Sequence, residues 1–129
     1  MNQAVRLSQP LSWTQEELNE IAIDAIQDIK GKRIVKLDLR QLEDAPTDYF
    51  IICEGDSNTQ VKSISDNVHK RLKEELGVYP NHVEGTGSST WICLDYFNTV
   101  IHVFYRETRS YYELEDLWGD ALFTEYETL

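Results

Sequence analysis

The distribution of apolar residues predicts a mixed α/β (α+β) domain, a sheet of four or five strands flanked by helices. Three observations predict it. Residues 14–30 and 58–76 carry apolar side chains at spacings of three and four, the period of a helix with one buried stripe. Residues 49–53 form a short run that is apolar throughout, as in a strand covered on both faces. Residues 91–96 and 99–105 alternate and are separated only by Phe97 and Asn98, which predicts an antiparallel hairpin.

Each element has a local rationale. In the first helix Leu18, Ile21, Ala22, Ala25, Ile26 and Ile29 form the stripe. Thr14 is a good N-cap, Glu16 and Glu17 suit the first turn, and Gly31 is the expected stop. Residues 33–39 then switch to period two: Val35, Leu37 and Leu39 face one way, Lys36, Asp38 and Arg40 the other. After a loop at 44–47 comes the apolar strand, then a turn at 54–58. The second helix buries Val61, Ile64, Ser65, Val68, Leu72 and Leu76 and ends at Gly77. Residues 82–84 are a candidate short strand before the hairpin. In the hairpin Ile92, Leu94 and Tyr96 form the uniformly apolar face, which leaves Trp91, Cys93 and Asp95 opposite. Ser110 with Glu113 three residues later resembles a capping box and predicts a last short helix stopping at Gly119. The organisation expected is a flexible N-terminal arm at 1–12, one domain at 13–119 and an acidic C-terminal tail at 120–129.

Charge restricts the function classes. The 129 residues include 23 acids and 12 bases, a formal charge of −11. That field repels phosphates at long range, so direct nucleic-acid recognition is disfavoured. It attracts basic proteins and speeds their docking. Composition alone leaves attraction and plain solubility equally open. No apolar stretch suits a signal peptide or a membrane span, so a cytoplasmic location is expected. Cys53 and Cys93 lie in apolar runs without metal or redox spacing and read as core thiols.

Catalytic chemistry finds little support. The turn at Gly55-Asp56-Ser57 joins a strand to a helix, where phosphate can meet backbone N–H groups. It has one glycine and two flanking carboxylates, so a helix cap is the better reading. The loop at 85–89 lacks a basic residue. His69, His82 and His102 have no partners at metal-ligand spacing, and no cofactor or metal is expected. Asp38, Glu84 and Asp95 are isolated acids, where a two-metal site would need a second acid on the same strand face. Trp91, next to acids on the less apolar face, suits an interface anchor.

The ordered series Asp48-Tyr-Phe-Ile-Ile-Cys-Glu-Gly-Asp-Ser57, Gly77-Val-Tyr-Pro80, Glu84-Gly85, Trp91-Ile92, Asp95-Tyr96, Val100-Ile-His-Val-Phe104 and Tyr112-Glu-Leu-Glu-Asp-Leu-Trp118-Gly119 resembles the ribosomal silencing factor (Iojap-like) family. The resemblance spans about residues 18–119. It implies a nucleotidyltransferase-like topology without catalytic carboxylates, a non-enzyme, and frequent homodimers. It implies binding to the large ribosomal subunit through a basic protein, the fourteenth in the conventional naming. The bound factor would block joining of the small subunit and repress translation under nutrient limitation. On this resemblance Trp91 and Asp95 are expected at the partner, and Glu84 and Tyr112 match motif positions. The alternatives are a nucleotide-binding or nucleotidyltransferase-like enzyme, and an acidic adaptor for a non-ribosomal basic protein.

Overall fold

The computed structural model describes residues 12–129; the arm expected at 1–12 falls almost entirely outside them. The elements are α1 (Gln15–Asp28), β1 (Lys32–Asp38), β2 (Tyr49–Gly55), α2 (Asn58–Leu76), β3 (His82–Glu84), β4 (Trp91–Tyr96), β5 (Thr99–Tyr105), α3 (Arg106–Tyr112), a 3₁₀ turn (Leu114–Trp118) and β6 (Leu122–Tyr126). They build a mixed, six-stranded sheet in the order β3-β4-β5-β2-β1-β6. Only β2 and β5 run parallel. Their connection passes through α2 and the β3–β4 pair, which a parallel neighbour requires.

The two faces of the sheet are covered differently. Both long helices lie on one face. There Leu18, Ala22, Ile26, Val61, Ile64, Val68 and Leu72 meet Ile34, Ile51, Cys53, Ile92, Leu94, Tyr96, Ile101 and Val103. On the other face Val35, Leu37, Leu39, Phe50, Ile52 and Phe104 are covered by the segment after β5, with Leu114 and Trp118 packed on them and Trp91 at the margin. Every residue of β2 is buried, as its apolar run predicts. In β4 buried Ile92, Leu94 and Tyr96 alternate with half-buried Trp91, Cys93 and Asp95. The chain's alternation therefore decides which residues remain available on the second face.

Local chemistry explains most boundaries. Thr14 caps α1 through a reciprocal pair: its hydroxyl accepts from Glu17 N, and the Glu17 carboxylate accepts from Thr14 N. Such caps contribute about 1 kcal/mol. Ser57 caps α2, accepting from Gln60 N.

Three expectations need correction. The residue in left-handed conformation after α1 is Lys30, at φ 62°, not Gly31. Gly31 is instead required by close approach, since a Cβ there would stand 2.3 Å from Ile26 Cγ2. In the hairpin turn, present as predicted, Phe97 takes a positive φ of 57°. The last helix starts at Arg106, directly after β5, and Ser110 lies inside it without a capping role. Finally, residues 122–126 are not a loose tail. They pair antiparallel with β1 as a sixth strand, Ile34 opposite Tyr126 and Leu37 opposite Phe123.

Candidate partner-binding site

The second face carries the residues singled out in the sequence. In the β4–β5 pairing Trp91 lies opposite Phe104, Cys93 opposite His102 and Asp95 opposite Val100. In the β3–β4 pairing Glu84 lies opposite Cys93 and His82 opposite Asp95. Residues directly opposite share a face. Glu84, Trp91 and Asp95 therefore all rise from the same side of the sheet, near its β3 edge. Tyr112 reaches Trp91 from α3, with ring centroids 4.9 Å apart.

Trp91 is held on three sides. Its ring stacks on Phe104 with centroids 4.7 Å apart. Its Nε1 donates to His102 Nδ1 at 3.1 Å, and Tyr112 covers part of its outer surface. His102 is itself buried, with Phe50 edge-on at 4.6 Å. Burial pushes its pKa down to about 4, while the charge of Glu115 acts the other way. The imidazole is therefore neutral at pH 7, as an acceptor Nδ1 requires.

Beside Trp91 lies an open groove of about 470 Å³, lined by Thr90, Trp91, Tyr105, Glu107, Thr108, Tyr111 and Tyr112. Tyr111 is 80% exposed and Tyr112 52%. Of the six acids between 111 and 129, Glu115 alone has an ion-pair partner among the described residues, which is Arg109. The groove itself combines aromatic surface with one acid, Glu107, which has no ion-pair partner among the described residues.

Catalytic groupings are not assembled. Asp38 is on β1 and Asp95 on β4, three strand spacings apart, roughly 14 Å. Asp38 is engaged by Arg40 in a two-pronged pair at 3.0 and 2.7 Å, which holds its carboxyl below the usual range. Among the described residues no three His, Cys, Asp or Glu side chains cluster as metal ligands. Asp56 in the strand–helix turn accepts from Lys32, leaving that turn occupied by its own cap and ion pair. Burial pushes Cys93 up to about 11 and Cys53 up to about 12, so neither is a thiolate near neutrality.

The sequence pattern described as "Ribosomal silencing factor during starvation" matches residues 12–129. The chain belongs to the ribosomal silencing factor family. It is 35% identical over 114 residues to "Ribosomal silencing factor RsfS" of Halalkalibacterium halodurans, covering 88% of this chain and 96% of that one. A crystal structure of a Chromobacterium violaceum protein superposes with a TM-score of 0.78 at 39% identity, covering 83% of this chain and 88% of that one. A more distant relative is the mouse "Mitochondrial assembly of ribosomal large subunit protein 1". It is 37% identical over 75 residues, which are 56% of this chain and 32% of the mouse protein.

Sequence reasoning missed one feature of this chain. Arg109, 4% exposed, lies under α3 and pairs with Glu54 and Glu115. A usable signal existed: Glu54 lies near the end of a continuously buried strand, and a buried carboxylate needs a cation.

Proposed function

We propose that this chain binds the large ribosomal subunit and sterically prevents the small subunit from joining it, lowering translation when nutrients are scarce. Its partner there is a basic protein of the joining face, the fourteenth in the conventional naming. The observation that carries this reading is the groove between Trp91 and Tyr112, an aromatic floor with the unpaired Glu107 in its lining, on a chain of strong net negative charge. Aromatic anchors surrounded by complementary charge are what protein interfaces use for affinity and orientation. Trp91 and Tyr112 serve as the anchor, and Asp95 and Glu84 as the acidic margin. RNA is a minor contact, repelled by the net charge of −11. The protein acts by occupying a surface and not by catalysis, and it works in the cytoplasm. Family membership, and a relative named for large-subunit assembly, support the same reading.

The test mixes the purified protein with separated subunits and sediments them. Co-migration with the large subunit and fewer joined ribosomes are expected. Unchanged joining with no protein in the large-subunit fraction overturns the proposal. Sedimentation of the protein alone reports whether it pairs with itself, as a homodimer would.

A further inference from the structure

We infer that Arg109 is the positioning residue of the binding groove: it fixes α3 so that Tyr111 and Tyr112 stand beside Trp91. The inference rests on the binding role proposed for that groove.

Helix α3 has little else to hold it. It is seven residues long, too short to persist unaided. Its N-terminus has no side-chain cap, and it ends at Glu113 with φ 49°. Arg109 is its single buried residue. A surface helix is ordinarily fastened by an apolar stripe. Here the two tyrosines that would supply one face the groove instead, largely exposed.

One guanidinium replaces the stripe. Arg109 Nη1 donates to the Arg33 carbonyl at 2.6 Å and to Glu54 Oε1 at 3.3 Å. Nε and Nη2 both donate to Glu115 Oε2, at 3.1 and 2.8 Å. Each acceptor belongs to a different segment: β1, the end of β2, and the 3₁₀ turn. The Arg33 carbonyl is available because β1 is irregular there, with Arg33 at φ 49° and a register shift between Lys32 and Val35. Such bulges re-aim backbone groups. The planar fork satisfies these acceptors only in one orientation, whereas an apolar contact tolerates sliding. Tyr112 follows Arg109 by about one helical turn, so a tilt of α3 is transmitted directly to the Tyr112–Trp91 contact.

Arg109→Met keeps the length and removes the fork. With the helical circular dichroism retained, it is expected to change the near-ultraviolet signal of the Trp91–Tyr112 pair. It should also weaken large-subunit binding by about tenfold, the scale of losing one aromatic contact at an interface. Tyr112→Ala in the same background should add little further loss, because both changes disable one contact. Arg109→Lys, which keeps the charge without the fork, should restore neither signal nor affinity fully. An unchanged aromatic signal, or losses that add in full, overturns the inference. Should Arg109→Met fail to fold, Glu115→Gln removes the charge of one acceptor at the rim, and the same readouts and criteria apply. If Trp91→Ala and Tyr112→Ala bind normally, the groove's proposed role fails by itself, and the aromatic signal still decides whether Arg109 positions α3.

Discussion

Trp91 Nε1 donates to His102 Nδ1 at 3.1 Å across the β4–β5 pair. This bond assigns the His102 proton to Nε2, so the imidazole must stay neutral for the indole to keep its acceptor. Burial enforces neutrality by lowering the His102 pKa from 6.5 to about 4.

A pH dependence follows. Between pH 6.5 and about 4 the unfolded chain binds a proton at His102 that the folded chain refuses. Stability therefore falls as pH drops through that window, and His102 makes no contribution above it. The full loss is on the order of 3 kcal/mol. Urea unfolding at pH 7 and at roughly pH 4.5 measures most of it, above the range where the Arg40-paired Asp38 takes up its proton. His102→Gln keeps an acceptor for Trp91 and should flatten the slope. An equal slope in both proteins would show that His102 is not the group responsible.

Tyr112 and Trp91 should separate binding from folding. Trp91 is half-buried and stacked on Phe104, so Trp91→Ala should lose about 3 kcal/mol of stability along with about 2–4 kcal/mol of large-subunit affinity. Tyr112 is 52% exposed. Tyr112→Ala should change stability by less than about 0.5 kcal/mol and affinity by at least about 1 kcal/mol. Paired melting and binding curves check both. Normal affinity in Tyr112→Ala would remove that ring from the interface.

Charge should act on encounter. With a net charge of −11 facing a basic partner, raising salt from roughly 0.05 to 0.3 M should slow association about tenfold and leave dissociation nearly unchanged. Stopped-flow or surface-based kinetics resolve the two rates. A salt effect confined to dissociation would place the charge contacts inside the bound interface.

Removing residues 122–129 should do more than shorten a tail. It strips β6 from β1, leaves that edge unpaired and takes Tyr126 off the helix-side core. A lower unfolding midpoint and concentration-dependent self-association are expected, since bare edges pair with one another. A truncated chain that melts like the full one and stays dispersed would contradict the pairing.

The contrast between β4 and β6 shows what the sequence made legible. Ile92, Leu94 and Tyr96 alternate with Trp91, Cys93 and Asp95, so the face of each side chain follows from period two alone. The turn of two residues then fixes the register with β5. The fully buried β2 and the two helical stripes are equally local signals. Strand β6 has none: Leu122 and Phe123 are exposed, the strand is edged with acids, and its partner β1 is far away in the chain. The same holds for α3. Ser110 and Glu113 suggested a cap, but the helix is fixed by Arg109 reaching acceptors at Arg33 and Glu54. Alternation therefore located Trp91 and Asp95, while the ion cluster behind Tyr112 was signalled only by Glu54 in its buried run, and the partners of Glu54 depend on contacts distant in the chain.

Gly85 tests how firmly the groove depends on its backbone. It adopts φ 89°, and a Cβ there would stand 1.9 Å from the Trp91 carbonyl oxygen and 2.9 Å from the Trp91 carbonyl carbon. Both obstacles are backbone, so the strand carrying Trp91 must shift. Gly77 is the control, at φ 68° with nothing within 4 Å of a new Cβ. Gly77→Ala should cost about 1–2 kcal/mol, the conformational penalty alone. Gly85→Ala should cost more, adding displacement to that penalty, and should alter Trp91 fluorescence and large-subunit affinity. Gly77→Ala should leave both unchanged, because its strain is relieved far from the β3–β4 pair. Equal destabilisation by the two substitutions, with Trp91 emission unmoved in Gly85→Ala, would mean that the loop after β3 yields before β4 does.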